Sequence, residues 1–230
     1  MLKKLLNYYI SGLKGNEYRL DENIPNSYLL NLILGRIIMK CRGLICGFHH
    51  ETIPFIGRHV TIKLKSKIRA GKNLSIGNRC FIDALSVEGI RLGDNVSIGR
   101  NTIIECTGNL QFLGKGLQVG NNVGMGTDNY YGCAGGIKLG DDTIVGNFVS
   151  FHAENHIFAT TDIPIRLQGV QHQGITIGRD CWIGAKSTIL DGVFLEDGCI
   201  IAAGAVVKSG IYAKNGIYAG VPAKLIKQRI

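Results

Sequence analysis

The sequence predicts an all-β solenoid, a parallel β-helix built from six-residue repeats. Three observations carry this expectation. In the stretch 177–207 every sixth residue is a large aliphatic: Ile177, Ile183, Ile189, Leu195, Ile201 and Val207. Two places before each stands a small or β-branched residue, Cys181, Ser187, Val193, Cys199 and Ala205, with the larger Ile175 opening the series. Composition agrees, since 32 Gly against 4 Pro suits a tightly turning coil better than a disordered linker. A period of six matches neither the 3.6 of an amphipathic helix nor the 2 of an alternating strand. It fits a triangular coil of three six-residue faces per turn, with the large aliphatic pointing inward onto its equivalent one turn on. Successive turns then lie about 4.8 Å apart and exchange backbone hydrogen bonds.

Taken in order, residues 1–50 stand outside the repeat and form a helical, basic cap region. Within it, Tyr28–Cys46 has apolar residues at helical spacing, with Arg36, Lys40 and Arg42 spaced for a polar side and Asn26 or Ser27 placed to cap its start after Pro25. Such a helix closes the end or side of a coil that would otherwise expose apolar surface; a basic amphipathic helix also suits an anionic membrane surface. The repeat begins near Ile56–Gly57 and passes through Ile68, Ile76, Ile98, Met125, Val145 and Phe151 to Ile157. Its register slips at 83–91, 107–116 and 127–136, and the longest excursion is Phe158–Gly174. Loops thrown out of a regular coil are where function concentrates. The coil is expected over 51–212, its last repeat near Val207, and a short tail over 213–230.

Composition narrows the function classes. At 230 residues there is material for one sizeable core. The 7 Cys are an odd number without paired spacing, and Cys80, Cys181 and Cys199 fall on small inward positions, so they read as buried reduced thiols in a reducing compartment. Met1–Leu13 lacks the apolar run and cleavage site of a signal peptide. The longest uncharged apolar stretch, Asn23–Gly35, is shorter than the roughly 20 residues of a membrane span. The expected location is therefore cytoplasmic. The formal charge of +9 sits in residues 1–75, which hold 13 Lys and Arg against 4 Asp and Glu. An acidic membrane surface, a polyanion or an acidic substrate would use it; a solvated basic face needs no partner.

The iterated aliphatic-Gly pairs, CWIGA at Cys181–Ala185, AAGAVV at Ala202–Val207 and AGVPAK at Ala219–Lys224 resemble the hexapeptide-repeat, left-handed β-helix acyltransferases. HIFATTDIPIRLQG at His156–Gly169 is most similar to sugar O-acetyltransferases of the maltose/galactoside and surface-polysaccharide type. The resemblance covers residues 56–230 and supplies the left hand of the coil. It implies an acetyl-CoA-dependent O-acetyltransferase acting on a saccharide or polysaccharide precursor, with no metal and with the active site between coils of a homotrimer.

In that chemistry a hydroxyl loses its proton as it attacks a thioester carbonyl, so a histidine titrating near neutral pH is the suitable base. The resemblance places this base at His156, with His152 the runner-up. Glu154, Asp128 or a backbone carbonyl is available to fix its tautomer. Asp128, Asn129, His152 and His172 fall where the family binds acceptor. On the donor side Trp182 matches a position near the pantetheine arm, the backbone of Ala185 and Ala203 its amide partners, and Lys208, Lys224 and Lys227 the phosphate contacts.

Other classes fit less well. A γ-carbonic-anhydrase-type zinc site needs three imidazoles, and no histidine occurs between Val60 and Phe151. Residues 1–55 lack the glycine-rich loop of a nucleotidyltransferase. N-acylation of an amino sugar and a non-catalytic scaffold remain as alternatives. Nucleic acid is not an expected partner, whereas the basic N-terminal third suggests peripheral contact with the inner face of the membrane.

Overall fold

The structure, a computed structural model, describes residues 2–14 and 17–229. Its body is a three-sided coil. In chain order within each turn, side one carries short strands such as Phe55–Ile56, Ile144–Val145, Trp182–Ile183 and Ile200–Ile201. Side two is a seven-stranded parallel sheet from Thr61–Lys63 to Val206–Val207, and side three an eight-stranded one from His49–His50 to Gly210–Tyr212. Where the repeat is strict, Thr176 pairs with Phe194, a step of 18 residues or three hexapeptides.

Every expected inward aliphatic from Ile177 to Val207 is at most 1% exposed, and the residues two before them at most 2%. Cys80, Cys181 and Cys199 fill these small inward slots as free, buried thiols. Parallel in-register pairing puts each core side chain on its equivalent, so Tyr131 and Phe151 stack at 4.8 Å with ring planes 11° apart.

The corners turn through left-handed backbone, filled largely by Asn and Asp, whose short polar side chains tolerate it. At the corner from side three to side one these residues form a ladder. Asn73 donates to Asn95 at 3.0 Å, Asn95 to Asn122 at 2.8 Å and Asn122 to Asp142 at 2.9 Å.

The register slips resolve into one pattern. Ala84–Gly89, Cys106–Gly116, Cys133–Gly136 and Ala153–Gly174 all leave from the same corner, between sides two and three. The slip at 127–136 proves to be mostly regular coil, containing strand Tyr130–Gly132 with two residues added at the corner. Ile157, read as a core position, instead lies beyond strand Asn155–His156 in the longest excursion. That excursion is a two-stranded hairpin, Asn155–His156 against Val170–Gln171, carrying a single helical turn at Ile165–Gln168.

Two helices precede the coil, α1 (Leu2–Lys14) and α2 (Asn26–Gly43). The expected helix is α2, but Pro25 occupies its cap position and neither Asn26 nor Ser27 caps it. It runs along side one with the opposite orientation to the one expected. Arg36 and Lys40 face the coil, 5.0 and 4.6 Å from the Phe55 ring, and Arg36 reaches the Ser75 hydroxyl at 3.0 Å. Leu30, Leu34, Ile37 and Ile38 point outward. No described helix is long and apolar enough to cross a membrane. At the other end the coil continues through Gly216–Ala219, and Lys224–Gln228 folds back antiparallel on it.

Because each coil supports the next, truncating a stacked core ring should be severe. Phe151→Ala is expected to destabilise by about 3–5 kcal/mol, read as a lower urea midpoint at constant protein concentration; Cys181→Ala should cost far less.

Candidate active site

Side two ends in a row of outward residues set by strand register: Lys63, Asp83, Glu105, Gly132, His152 and Leu190 lie side by side across successive coils. Gly132 makes a notch in this row. A Cβ there would sit 3.0 Å from the Tyr130 ring, which folds over the gap. Tyr130 thereby contacts the His152 ring, centroids 5.5 Å apart, and its hydroxyl meets the Glu105 carboxylate.

These residues, with Glu154 from the start of the hairpin, line a cleft of about 130 Å³. Burial, then the Glu105 hydrogen bond and charge, push the Tyr130 hydroxyl up to about 12, so it stays a neutral donor. Burial lowers the pKa of His152, which favours a neutral imidazole at physiological pH.

His156 lies beyond this cleft, exposed on the hairpin strand Asn155–His156, and its ring makes no side-chain hydrogen bond among the described residues. His172, on the returning arm, is exposed above Gly135, where a Cβ would approach it to 2.7 Å. The coil engages the other expected acceptor residues. Asn129 is 2% exposed; its amide donates to the carbonyls of Met125 and Gly146 and accepts from the Val149 N–H. Asp128 turns a corner at φ 59° and accepts from Asn101 at 2.6 Å. That bond holds its carboxyl below the usual carboxylate range, helped by Thr127 and the Arg100 charge.

The foot of the hairpin is held by Asp191, a residue the sequence motifs did not single out. It is 4% exposed, and its carboxylate accepts from the backbone N–H groups of Gln173 and Gly174 at 2.7–3.0 Å and from the Asn155 amide at 3.4 Å. A buried carboxylate needs such partners. The only trace in the sequence is an acidic residue in the small turn Leu190–Gly192, between two inward aliphatics.

The expected donor residues gather elsewhere, at the C-terminal coils of side one and the corner leading to side two. Trp182 is 54% exposed on side one, between Ile144 and Ile200. Ala185 and Ala203 occupy equivalent corner positions on successive coils. Among the described residues no protein acceptor takes the backbone N–H of either, although their neighbours at Gly184, Lys186, Ala202 and Gly204 are all bonded. Lys208, Lys224 and Lys227 are exposed, the last two on the returning C-terminal strand.

Residues 73–106 and 174–209 match the family model described as the hexapeptide repeat of succinyl-transferase. Among curated proteins none matches the chain by sequence. Among solved structures the chain is similar to a variant of AntD, an N-acyltransferase from Bacillus cereus, in complex with dTDP and coenzyme A. They share 20% identity with a TM-score of 0.53 over 80% of this chain and 86% of that one. AntD with dTDP and 3-hydroxybutyryl-CoA gives 20% identity and a TM-score of 0.51, over 80% and 85%. A maltose O-acetyltransferase from Clostridium difficile 630 is more distant, at 16% identity and a TM-score of 0.38, over 98% and 86%.

The chain is a left-handed hexapeptide-repeat β-helix. Within this β-helix the His152 cleft and the hairpin bearing His156 and His172 lie at one edge of side two, and the corner of Ala185 and Ala203 lies at the other; Asp128 and Asn129, expected on the acceptor side, fall instead on the Ala185 edge, in register with Lys186 and Ser187. Leu190, the strand partner of His152, lies five residues along the chain from Ala185, at most roughly 17 Å at ~3.3 Å each.

The cleft around His152 should reveal itself in titration. In a two-dimensional NMR experiment the ring protons of His152 are expected to shift with a midpoint below the ~6.5 of a free imidazole. The unfolded chain then binds this proton more readily, so the group's contribution is complete above about pH 6.5 and stability falls as pH drops below it. A midpoint above 6.5 would contradict the burial.

Proposed function

We propose that this protein is an acyl-CoA-dependent acyltransferase, and that it O-acetylates a saccharide or polysaccharide precursor. The observation that carries the reading is the pair of unbonded N–H groups at Ala185 and Ala203, at equivalent corners of successive coils beside exposed Trp182. An extended donor with regularly spaced amide carbonyls fits such a ladder, and Lys208, Lys224 and Lys227 supply cations for its phosphates. The solved relatives that share this fold carry coenzyme A or an acyl-CoA, which supports the same assignment.

His156 is the general base in this proposal. One ring nitrogen takes the acceptor hydroxyl proton as oxygen attacks the thioester carbonyl. The C–S bond then breaks as the C–O bond is made, and the proton passes to the departing thiolate. Glu154 stands at the start of the hairpin to orient the imidazole. His152 and Tyr130 shape the acceptor cleft, with His172 on the returning arm of the hairpin; Asp128 and Asn129 brace the opposite corner, at the start of the strand that carries Tyr130. A second reading is N-acylation of an amino sugar, favoured by AntD, whose complexes include dTDP-4-amino-4,6-dideoxyglucose. An amine arriving neutral needs less help from a base.

The site requires more than one copy of the chain. The hairpin bearing His156 and the corner of Ala185 and Ala203 sit at opposite edges of side two, so in this proposal His156 of one subunit serves donor held on the C-terminal coils of the next; the homotrimer is the assembly that the family resemblance implies. His156→Ala is expected to lower kcat about 10²–10⁴-fold while leaving acetyl-CoA binding intact by calorimetry. Ala203→Pro, which removes an N–H, should weaken donor binding. Mixing the two variants after dissociation and reassembly should restore part of the activity, because some interfaces then carry both wild-type halves. No recovery in demonstrably mixed oligomers would rule out a shared site.

Peripheral membrane contact fits the outward apolar residues of α2 beside the basic N-terminal third. The intact protein is expected to sediment with anionic vesicles, and Leu34→Glu/Ile38→Glu to reduce this by about tenfold. Equal sedimentation of both would remove the idea and leave a cytoplasmic protein with a solvated basic face.

A further inference from the structure

The outward row on side three differs in kind from the row on side two. The side-two row carries both signs: Lys63 pairs with Asp83 at 3.5 Å, and Glu105, beside Asp83, meets the Tyr130 hydroxyl. On side three the register stacks His49, Arg69, Arg91, Gln118 and Lys138 on successive strands. Arg69 and Arg91 are direct strand partners, a like-charge juxtaposition that destabilises a sheet unless something neutralises it.

Nothing among the described residues does so. Among the described residues, Arg69, Arg91 and Lys138 have no carboxylate within 4.0 Å; the six ion pairs lie elsewhere. The neighbouring carboxylates are engaged by other groups. Glu51 faces Lys72 at 3.9 Å, Asp94 accepts the Lys72 N–H at 2.8 Å, and Glu88 accepts from Gln118 at 2.8 Å.

The same row carries a run of shallow, open clefts. A cleft of about 480 Å³ between His49 and Arg91 meets one of about 360 Å³ between Arg91 and Lys138. The second continues past Gln118 and Lys138 into a third of about 110 Å³, lined by Lys115, Gln173 and Gly174. That last cleft ends at the foot of the hairpin, on the two residues whose N–H groups Asp191 clamps. The trough therefore leads along the coil axis, over about four strand spacings or roughly 19 Å from His49 to Lys138, toward the loop that bears His156.

We propose that this trough binds an extended acidic saccharide chain, its carboxylates or phosphates neutralising Arg69, Arg91 and Lys138 while one end reaches the hairpin. The substrate class follows from the function proposed above, and the inference rests on that reading for its saccharide character. A two-fold packing of this face against itself would bring like charges together, so it would not neutralise the row as an anionic ligand would.

The test measures binding apart from turnover. A labelled polygalacturonate oligomer and a phosphate-bearing glycan oligomer are titrated by fluorescence anisotropy against the intact protein, with neutral dextran and a DNA duplex of equal charge as comparisons. At least one acidic oligomer should bind more tightly than dextran and duplex, with affinity falling as salt rises. Arg69→Glu/Arg91→Glu should weaken it about tenfold or more. Arg69→Gln/Arg91→Gln guards against misfolding and should give a smaller loss; both variants should bind acetyl-CoA as the wild type does. Acidic oligomers binding no better than dextran, a variant with unchanged affinity, or tighter binding of duplex would each overturn the proposal. Failure of the wild type to bind acetyl-CoA would instead sink the acyltransferase reading and leave the trough result standing.

Discussion

Everything in this molecule depends on parallel, in-register stacking of one coil on the next. Each strand is too short to be stable alone, and each inward aliphatic is covered only by its equivalents above and below. The backbone N–H of Ile144 bonds the Cys181 carbonyl, that of Trp182 the Cys199 carbonyl, and so on through the stack. This arrangement makes a period of six obligatory along the faces and leaves only the corners free to vary. A residue added within a strand would flip every later side chain between core and solvent. A residue added at a corner moves nothing else.

That asymmetry explains where the chain has grown. All four insertions emerge from the corner between sides two and three, and the longest of them is the hairpin of Ala153–Gly174. The corner from side three to side one stays short and carries the stacked Asn and Asp side chains. Growth at one corner builds a ridge with a wall on each side. The cleft of Glu105, Tyr130 and His152 lies on the side-two wall, and the trough of Arg69, Arg91 and Lys138 on the side-three wall. Asp191, inside the turn of the next regular coil, fastens the hairpin to the scaffold; its charge is matched by backbone N–H groups rather than a cation.

The fold was legible because the constraint that makes it is periodic. Ile177 to Val207, and the small residues two places before them, are readable without any knowledge of partners, and the structure buries them all. Outside the repeat the sequence is less explicit. In α2 apolar residues occur almost all round the helix, so the pattern does not choose an orientation. The choice falls to Phe55, whose ring draws Arg36 and Lys40 inward. Asn129 reads equally well as a ligand-binding amide or as a corner brace, and only the three backbone groups around it decide for the brace. The notch at Gly132 and the clamp at Asp191 depend on contacts between residues in different coils, at separations that carry no sequence period.

The same logic bears on why the proposed site spans subunits. In a coil only about 18 residues around, chain neighbours separate quickly across a face, and residues on opposite edges of a side cannot turn toward each other. The hairpin bearing His156 leaves from one edge of side two, while the unbonded N–H groups of Ala185 and Ala203 lie at its other edge, beside exposed Trp182 on side one. A rigid scaffold of this kind has no hinge to close over a substrate. In the assembly proposed above, packing of copies would replace closure, with one chain's ridge covering the next chain's donor corner. Ligand binding would then need little rearrangement within a subunit, and the geometry of the reacting groups would be set by how the copies pack.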